Sequence, residues 1–450
     1  MIICVLNGSP AGNYSITLQT VKYIEKRFPG NEMIYLNIGT RIRAWEKDFS
    51  EPASALIKAE LIIFAYPVYT FLAPSQMHRF IVLMKASGID FSGKFATQLT
   101  TSKHFYDMTA HRYIEDNCHD MGMKVIHGLS ADMDDLLSKR GQCDADNFFA
   151  YVSHCAEHGI YESPPQAVSR TIPEYVSVFE DGVSSDKSDK FDTVIVADLR
   201  DGDTRLAAMI EDFRHGFVYK TRLVNIAEYK FDGGCLGCFN CAADGKCVYK
   251  DGFDSFLREE IQNADAIVLA FTIRNHSMGE TFKTYDDRQF CNGHRTVTAG
   301  KPFGYIVNGD YEAEHNLRTL IEARCDVGHN FLAGVAYNHE SMSMMVPMLK
   351  YVLENRYTQP RRFYGVGGMK IFRDLIWVMR GLMKADHKYY KAHGIYDFPQ
   401  KKRFMMLKMC LLGALVRNPK VRAKMGNRMN EGMTAPYRKI VEEAQPMIKS

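Results

Sequence analysis

Four of the chain's eleven cysteines fall within fourteen residues, in "GCLGCFNCAADGKC" at residues 234–247. Cys235, Cys238, Cys241 and Cys247 follow a C-x2-C-x2-C-x5-C spacing, while Cys4, Cys118, Cys143, Cys155, Cys291, Cys325 and Cys410 are scattered singly. Three thiols spaced three apart around Gly237 can hold three corners of a 4Fe–4S cubane from one loop, and a fourth beyond Gly245 can close it. Tetrahedral zinc usually takes two C-x2-C knuckles much farther apart. Free redox-active thiols are the third use of such residues.

A second candidate is "NGSPAGNYSIT" at residues 7–17. Gly8 and Gly12 allow a tight turn, and Ser9, Asn13, Ser15 and Thr17 offer hydroxyl and amide donors without any Arg or Lys. Ahead of a helix, such a loop makes an anion nest; the same residue types also make ordinary turns. The third is "AYPVYTFLAPSQMHRFI" at residues 65–81, whose Tyr66, Tyr69 and Phe71 suit a flat aromatic ring.

These stretches lie in a regular alternation. "IICVLNG", "EMIYLNI", "AELIIFAYP", "GKFATQLTTS" and "KVIHGLS" read as strands, separated by helical patterns such as "SITLQTVKYIEKRF". Near-continuous apolar strands between helices predict a parallel sheet covered on both faces. After the polar stretch at residues 180–190 the pattern restarts with "FDTVIVADL", "YKTRLVNI", "DAIVLAF", "KPFGYIVNG" and "NFLAGVAY". An internal duplication follows: two tandem doubly wound α/β domains, residues 1–180 and 181–357, and a helical C-terminal extension, 358–450. The anion loop follows the first strand of the first domain, and the cysteines follow the second strand of the second.

The loops at 7–17 and 65–81 together resemble those of the flavodoxin-like NAD(P)H-dependent FMN reductases. That family has a G-S-P-x-x-x-N-T-like phosphate loop and a P-V-Y segment before a helix. The usual Arg after the proline is Ala11 here, and the Asn-Thr pair is spread over Asn13 to Thr17. The resemblance, over roughly residues 1–340, implies two flavodoxin-like sheets of order 2-1-3-4-5. It also implies FMN phosphate on Ser9, Asn13, Ser15 and Thr17, and a flavin ring between Pro67, Val68, Tyr69 and Thr70 and Thr101, Ser102 and Lys103. His104, Tyr106 and Asp107 lie nearby, and none is assigned a catalytic role because the flavin carries the chemistry. The cysteine stretch is similar to the compact motif of iron–sulfur flavoproteins, which implies a 4Fe–4S cluster on Cys235, Cys238, Cys241 and Cys247. Two fused copies are expected to pair as an intrachain pseudo-dimer, with further homo-oligomers left open.

The first loop of the second domain, "ADLRDGDTRL", sets Asp198, Asp201 and Asp203 where phosphate would sit, with Arg200 and Arg205 as partial offsets. One carboxylate about 5 Å from a phosphate charge costs roughly 3 kcal/mol at an effective dielectric near 20. The second domain is therefore read as a relic that holds no FMN. "GVGGMKIFRD" follows no clear strand and reads as a turn before a helix rather than a nucleotide loop.

Residues 361–450 carry 20 of the 56 Lys+Arg but 6 of the 53 Asp+Glu, leaving 36 against 47 in the rest. The basic residues are interleaved with Met and Leu, which favours a solvated helical surface over a nucleic-acid or membrane patch. Met1 runs straight into a strand, with no basic n-region or small-residue cleavage site, so no secretory signal is expected. The apolar run at residues 404–416 is too short to span a bilayer and reads as a buried helix. A cytoplasmic, reducing location is expected. The leading expectation is an oxidoreductase passing electrons from NAD(P)H through FMN and a cluster to a small-molecule or protein acceptor. The alternatives are a plain NAD(P)H:quinone or flavin reductase with structural or zinc-bound cysteines, and a non-enzymatic electron carrier.

Overall fold

Near-continuous apolar runs have no polar face to give to water, and here they become strands covered on both sides. The computed structural model describes residues 1–164, 171–179 and 187–444. The first half runs β1 (Ile2–Asn7), α1 (Ile16–Arg27), β2 (Glu32–Leu36), α2 (Ile38–Trp45), α3 (Ser50–Lys58), β3 (Leu61–Pro67) and α4 (Ser75–Ala86). It continues with β4 (Phe95–Ser102), α5 (Asp107–Asp120), β5 (Lys124–Val125), β6 (Leu129–Asp132) and α6 (Lys139–His158). Its strands are parallel in the order β2-β1-β3-β4-β5, the flavodoxin-like order. The expected fifth strand is split: β5 and β6 both pair with β4, and the chain leaves the sheet between them. A Cβ on Gly128, in that gap, would overlap Gln98 of β4.

The second half repeats the scheme with β7 (Ser188–Asp198), α7 (Thr204–Gly216), β8 (Tyr219–Asn225), a single turn α8 (Cys241–Asp244), and α9 (Phe253–Phe256), which runs into a π-helical turn. Next come β9 (Ala266–Thr272), α10 (Glu280–Arg288), β10 (Pro302–Asn308), α11 (His315–Gly328), β11 (Phe331–Ala336) and α12 (His339–Asn355). Its parallel order, β11-β10-β9-β7-β8, is the order of the first sheet. Most of the polar joint at residues 180–190 lies outside the described residues.

Beyond it lie α13 (Phe363–Val378), α14 (Lys384–Ala392), α15 (Arg403–Val416) and α16 (Pro419–Glu443). Two compact units result, Met1–Tyr389, which holds both sheets, and Tyr390–Ser450. "GVGGMKIFRD" is not a turn but lies inside α13. Its glycines give close approach: a Cβ on Gly365 would overlap the Asp326 carbonyl, and one on Gly368 would sit 2.8 Å from Phe105. The run at 404–416 does form a helix, α15, but none of its residues is buried, contrary to expectation.

Within the first unit α4 packs on α10 and α5 on α11, the helices that follow the third and fourth strands of each half. The loops after β3 and β9 share one conformation. Tyr69 and Leu72 exchange backbone hydrogen bonds across Thr70 and Phe71, and Arg274 and Ser277 do so across Asn275 and His276. All four central residues have positive φ, from 41° to 72°, as in a type I′ turn. Left-handed backbone costs a non-glycine residue roughly 1 kcal/mol. The second half thus keeps the shape of this loop after losing its P-V-Y sequence.

Candidate flavin and cysteine site

β1 ends at Asn7, and the chain turns through residues 8–15 into the N-terminus of α1. The Asn7 amide ties this turn together: Nδ2 donates to the Gly12 carbonyl (3.0 Å) and to Asn37 Oδ1 (2.9 Å), and Oδ1 accepts from Ser9 N. Ser15 is the N-cap of α1, its Oγ accepting from Leu18 N at 3.2 Å. Thr17 Oγ1 lies 2.6 Å from Thr101 Oγ1, joining this loop to the end of β4. The remaining free N–H groups of α1 carry the positive end of its dipole, which favours an anion.

Ser9, Ser15, Thr17, Pro67, Val68, Tyr69, Thr70, Thr101, Ser102 and Lys103 line one cavity of about 650 Å³. Asn13 is exposed and is not among the lining residues. Tyr69 and Phe71 line the cavity, but Tyr66 does not. Tyr66 lies inside β3, which is covered on both faces, and its buried hydroxyl hydrogen-bonds to Gln98 Oε1 and the Ala110 carbonyl. Lys103 Nζ is committed to Asp132 (2.6 Å) and Asp134 (2.9 Å). Burial acts to lower its pKa, yet the two carboxylates outweigh burial and hold it above its ordinary value.

The same cavity is lined by Cys235, Cys238, Cys241 and Cys247 from the second half. Their loop is docked on the β3–α4 loop: Gln76 Nε2 donates to the Cys235 carbonyl at 3.4 Å, and a Cβ on Gly237 (φ 60°) would overlap the Tyr69 hydroxyl. The turn under Tyr69 is held from the other half too. Lys283 Nζ donates to the Tyr69 carbonyl (2.9 Å) and Thr70 Oγ1 (2.7 Å), and it pairs with Asp287. Asp287 also accepts from Ser75 N at 2.8 Å.

All eleven cysteines are free thiols. Burial raises the Cys235 pKa well above its ordinary value, against the Gly237 N–H that donates to its sulfur. Burial pushes Cys241 up to about 11, and Cys238 adds to the shift. The donor types match a thiolate-bound cluster, whose iron would supply the positive charge that replaces these protons. Among the described residues, however, no three His, Cys, Asp or Glu side chains converge as a metal-ligand set.

Several lining residues carried no signal in the sequence. Cys291 and Cys325 are a fifth and a sixth thiol, both pushed up to about 12 by burial. Phe372 of α13 stacks on Phe105 at 4.1 Å and meets His294 edge-on at 4.6 Å, forming an aromatic wall. α13 is anchored there by Asp326, whose carboxylate accepts from Arg362 N and Gly365 N, and by the Tyr106 hydroxyl, which donates to the Tyr364 carbonyl.

The corresponding loop of the second half is closed by ion pairs. Arg200 holds Asp198 at 2.8 Å and Glu280 at 3.0 Å, and Arg274 holds Asp203 at 2.8 Å. The expected offset from Arg205 is not made, because its guanidinium donates to Asn308 Oδ1 and the Tyr337 carbonyl instead. Arg274, from the loop after β9, takes that place.

No family model matches the chain. An iron–sulfur flavoprotein of Archaeoglobus fulgidus is 27% identical over 201 residues, covering 42% of this chain and 90% of that protein. Among solved structures, the Trp repressor binding protein of Bacillus subtilis shares 20% identity at a TM-score of 0.27, covering 32% of this chain and 96% of its own. An apo NADH:FMN oxidoreductase shares 18% at a TM-score of 0.30, covering 36% and 91%. The flavodoxin-like assignment rests on the strand order of both sheets. The chain is a tandem pair of flavodoxin-like sheets, similar over two-fifths of its length to an iron–sulfur flavoprotein.

Proposed function

We propose that this chain is an FMN-dependent oxidoreductase that takes electrons from NAD(P)H and passes them to a small-molecule or protein acceptor. One observation carries the reading: a single cavity joins the hydroxyl-lined start of α1, the loops after β3 and β4, and the four-cysteine loop. The similarity to an iron–sulfur flavoprotein supports it.

Ser9, Ser15 and Thr17 would hold the phosphate with the α1 N-terminus, and Pro67–Thr70 and Thr101–Lys103 would flank the ring. Asn13, exposed and outside the lining, is not assigned to the phosphate. Cys235, Cys238, Cys241 and Cys247 would hold a 4Fe–4S cluster. Bound there, FMN would supply two-electron exchange with nicotinamide, and a cluster single-electron transfer to the acceptor. The protein's own part is to position and to exclude water. Lys283 and Asp287 fix the Tyr69–Thr70 turn, and Phe372 and Phe105 shield one wall. The half-buried Tyr69 lines the cavity, and its hydroxyl pKa is raised first by burial and then by Cys235, so it is offered there as a neutral donor.

The domain assignment belongs to the same reading: an FMN domain at 1–180, a degenerate domain at 181–357 and an extension at 358–450. The pairing of α4 with α10 and α5 with α11 supports an intrachain pseudo-dimer, since an ancestral homodimer contact survives fusion. The second reading is a plain NAD(P)H:quinone or flavin reductase in which these cysteines are structural or zinc-bound. The visible spectrum of protein purified without oxygen, with flavin and iron counted, tests both. One FMN and about four irons per chain are expected. Flavin without iron supports the plain reductase, and neither group refutes the oxidoreductase reading.

A further inference from the structure

We propose that α15, instead of belonging to the solvated surface expected from its interleaved basic residues, is an interfacial helix that seats the chain on an anionic lipid surface. Its sequence, RFMMLKMCLLGALV, is apolar on nearly every side, yet no residue in it is buried. Phe404 is 83% exposed, Leu411 60% and Leu415 61%. A helix that is apolar all round is stable only when something covers it. Its fourteen residues reach about 21 Å, short of a hydrocarbon core of about 30 Å, so it cannot cross a bilayer.

Charge selects the occupant. Residues 398–430 contain nine Lys or Arg and no Asp or Glu. A second copy docked on the same helix would bring nine more positive charges against these. An anionic lipid surface attracts them, by on the order of fivefold in affinity per cation near the surface. Lying flat, α15 would bury Phe404, Leu407, Leu411 and Leu415 among acyl chains, while the stems of Arg403 and Lys408 reach out to the headgroups. The lipid chemistry is defined only as an anionic headgroup over an acyl layer.

The test is sedimentation of the full-length chain with vesicles of phosphatidylcholine alone or with about one-third phosphatidylglycerol. The chain should sediment with the anionic vesicles and bind neutral ones at least about tenfold more weakly, and salt should weaken the anionic binding. Leu407→Glu with Leu411→Glu should release it, with flavin content and thermal unfolding unchanged. Lys401→Glu with Lys402→Glu leaves the apolar face intact and should remove the preference for anionic vesicles. The proposal is overturned if the parent chain stays in the supernatant, or if the Leu→Glu variant binds as the parent does. It is also overturned if the parent is a dimer that this variant makes monomeric, since a second copy would then be the cover.

Discussion

Gly237 of the cysteine loop lies so close to Tyr69 of the β3–α4 loop that a Cβ on the glycine would overlap the tyrosine hydroxyl. The two residues belong to different halves of the chain, so this approach sets how near the thiols come to the proposed flavin ring. Gly237→Ala should push the loops apart and lower flavin retention at least about tenfold, with its positive φ adding roughly 1 kcal/mol of strain. Adding Tyr69→Phe removes the obstructing oxygen and should restore part of the retention. Equal flavin content in Gly237→Ala and parent, after gel filtration, would refute the link.

One FMN per chain is expected, in the first half. Ser15→Asp keeps an N-cap for α1, so the fold should hold, but it sets a carboxylate beside the phosphate at a cost of roughly 3 kcal/mol. Flavin should be lost. Asp201, exposed in a loop whose neighbouring carboxylates are already paired with Arg200 and Arg274, should tolerate Ala without effect. Two flavins per chain would contradict the assignment.

The two sheets were legible because strands buried on both faces leave long apolar runs, and the duplication was legible because the runs recur in order. What escaped depends on contacts distant in sequence. Tyr66 and Tyr69 look alike in an aromatic stretch, but Tyr66 still belongs to β3, which is buried on both faces, whereas Tyr69 lies in the loop beyond it. Arg205 sits beside the acidic loop in sequence, yet Arg274 reaches Asp203 because the loop after β9 folds over it. Phe372 gave no sign of facing Phe105, since that depends on how α13 docks through Gly365 and Gly368. The burial of residues 404–416 was misread because apolar composition reports the need for a cover and not its source.

The aromatic wall should govern acceptor size. Phe372→Ala would open the cavity next to Phe105 and His294. Turnover with bulky aromatic acceptors should then gain in kcat/KM by about tenfold over small ones, the low end of what one hydrophobic contact gives. An unchanged ratio between large and small acceptors would place the acceptor elsewhere.

His276 joins the halves, with Nε2 2.9 Å from Asp120 and Nδ1 3.0 Å from Glu314. Burial works against the imidazolium, but the hydrogen bonds to Asp120 and Glu314 outweigh it and raise the pKa from 6.5 to about 10. A raised folded-state pKa gives stability that is complete below 6.5 and fades as pH climbs towards 10. On the acid side, burial favours the neutral Asp120 carboxyl, but the partners His276 and Lys85 hold it down at about 2, so that share is lost as pH falls through this value. His276→Gln should cost about 1–3 kcal/mol at neutral pH, allowing for solvent screening, and should flatten the alkaline decline. Parallel thermal unfolding curves for parent and variant from pH 6 to 10 would remove His276 as the cause.

The cysteines admit a test in which fold and cofactor separate. Cys238 is exposed, so Cys238→Ser should leave folding intact. If its thiolate holds a cluster, iron and sulfide should fall from about four per chain to near zero while FMN stays bound through the first half. Cys291→Ser, which changes one of the two further thiols of the same cavity, should keep its iron, and so should Cys118→Ser in α5. In the Cys238 variant NAD(P)H should still bleach the flavin absorbance, and one-electron acceptors should be reduced more slowly. Loss of iron from Cys291→Ser with retention in Cys247→Ser would reassign the fourth ligand. One tight zinc per chain, with no iron taken up under anaerobic reconstitution, would make the loop a structural knot and leave electron transfer to the flavin alone.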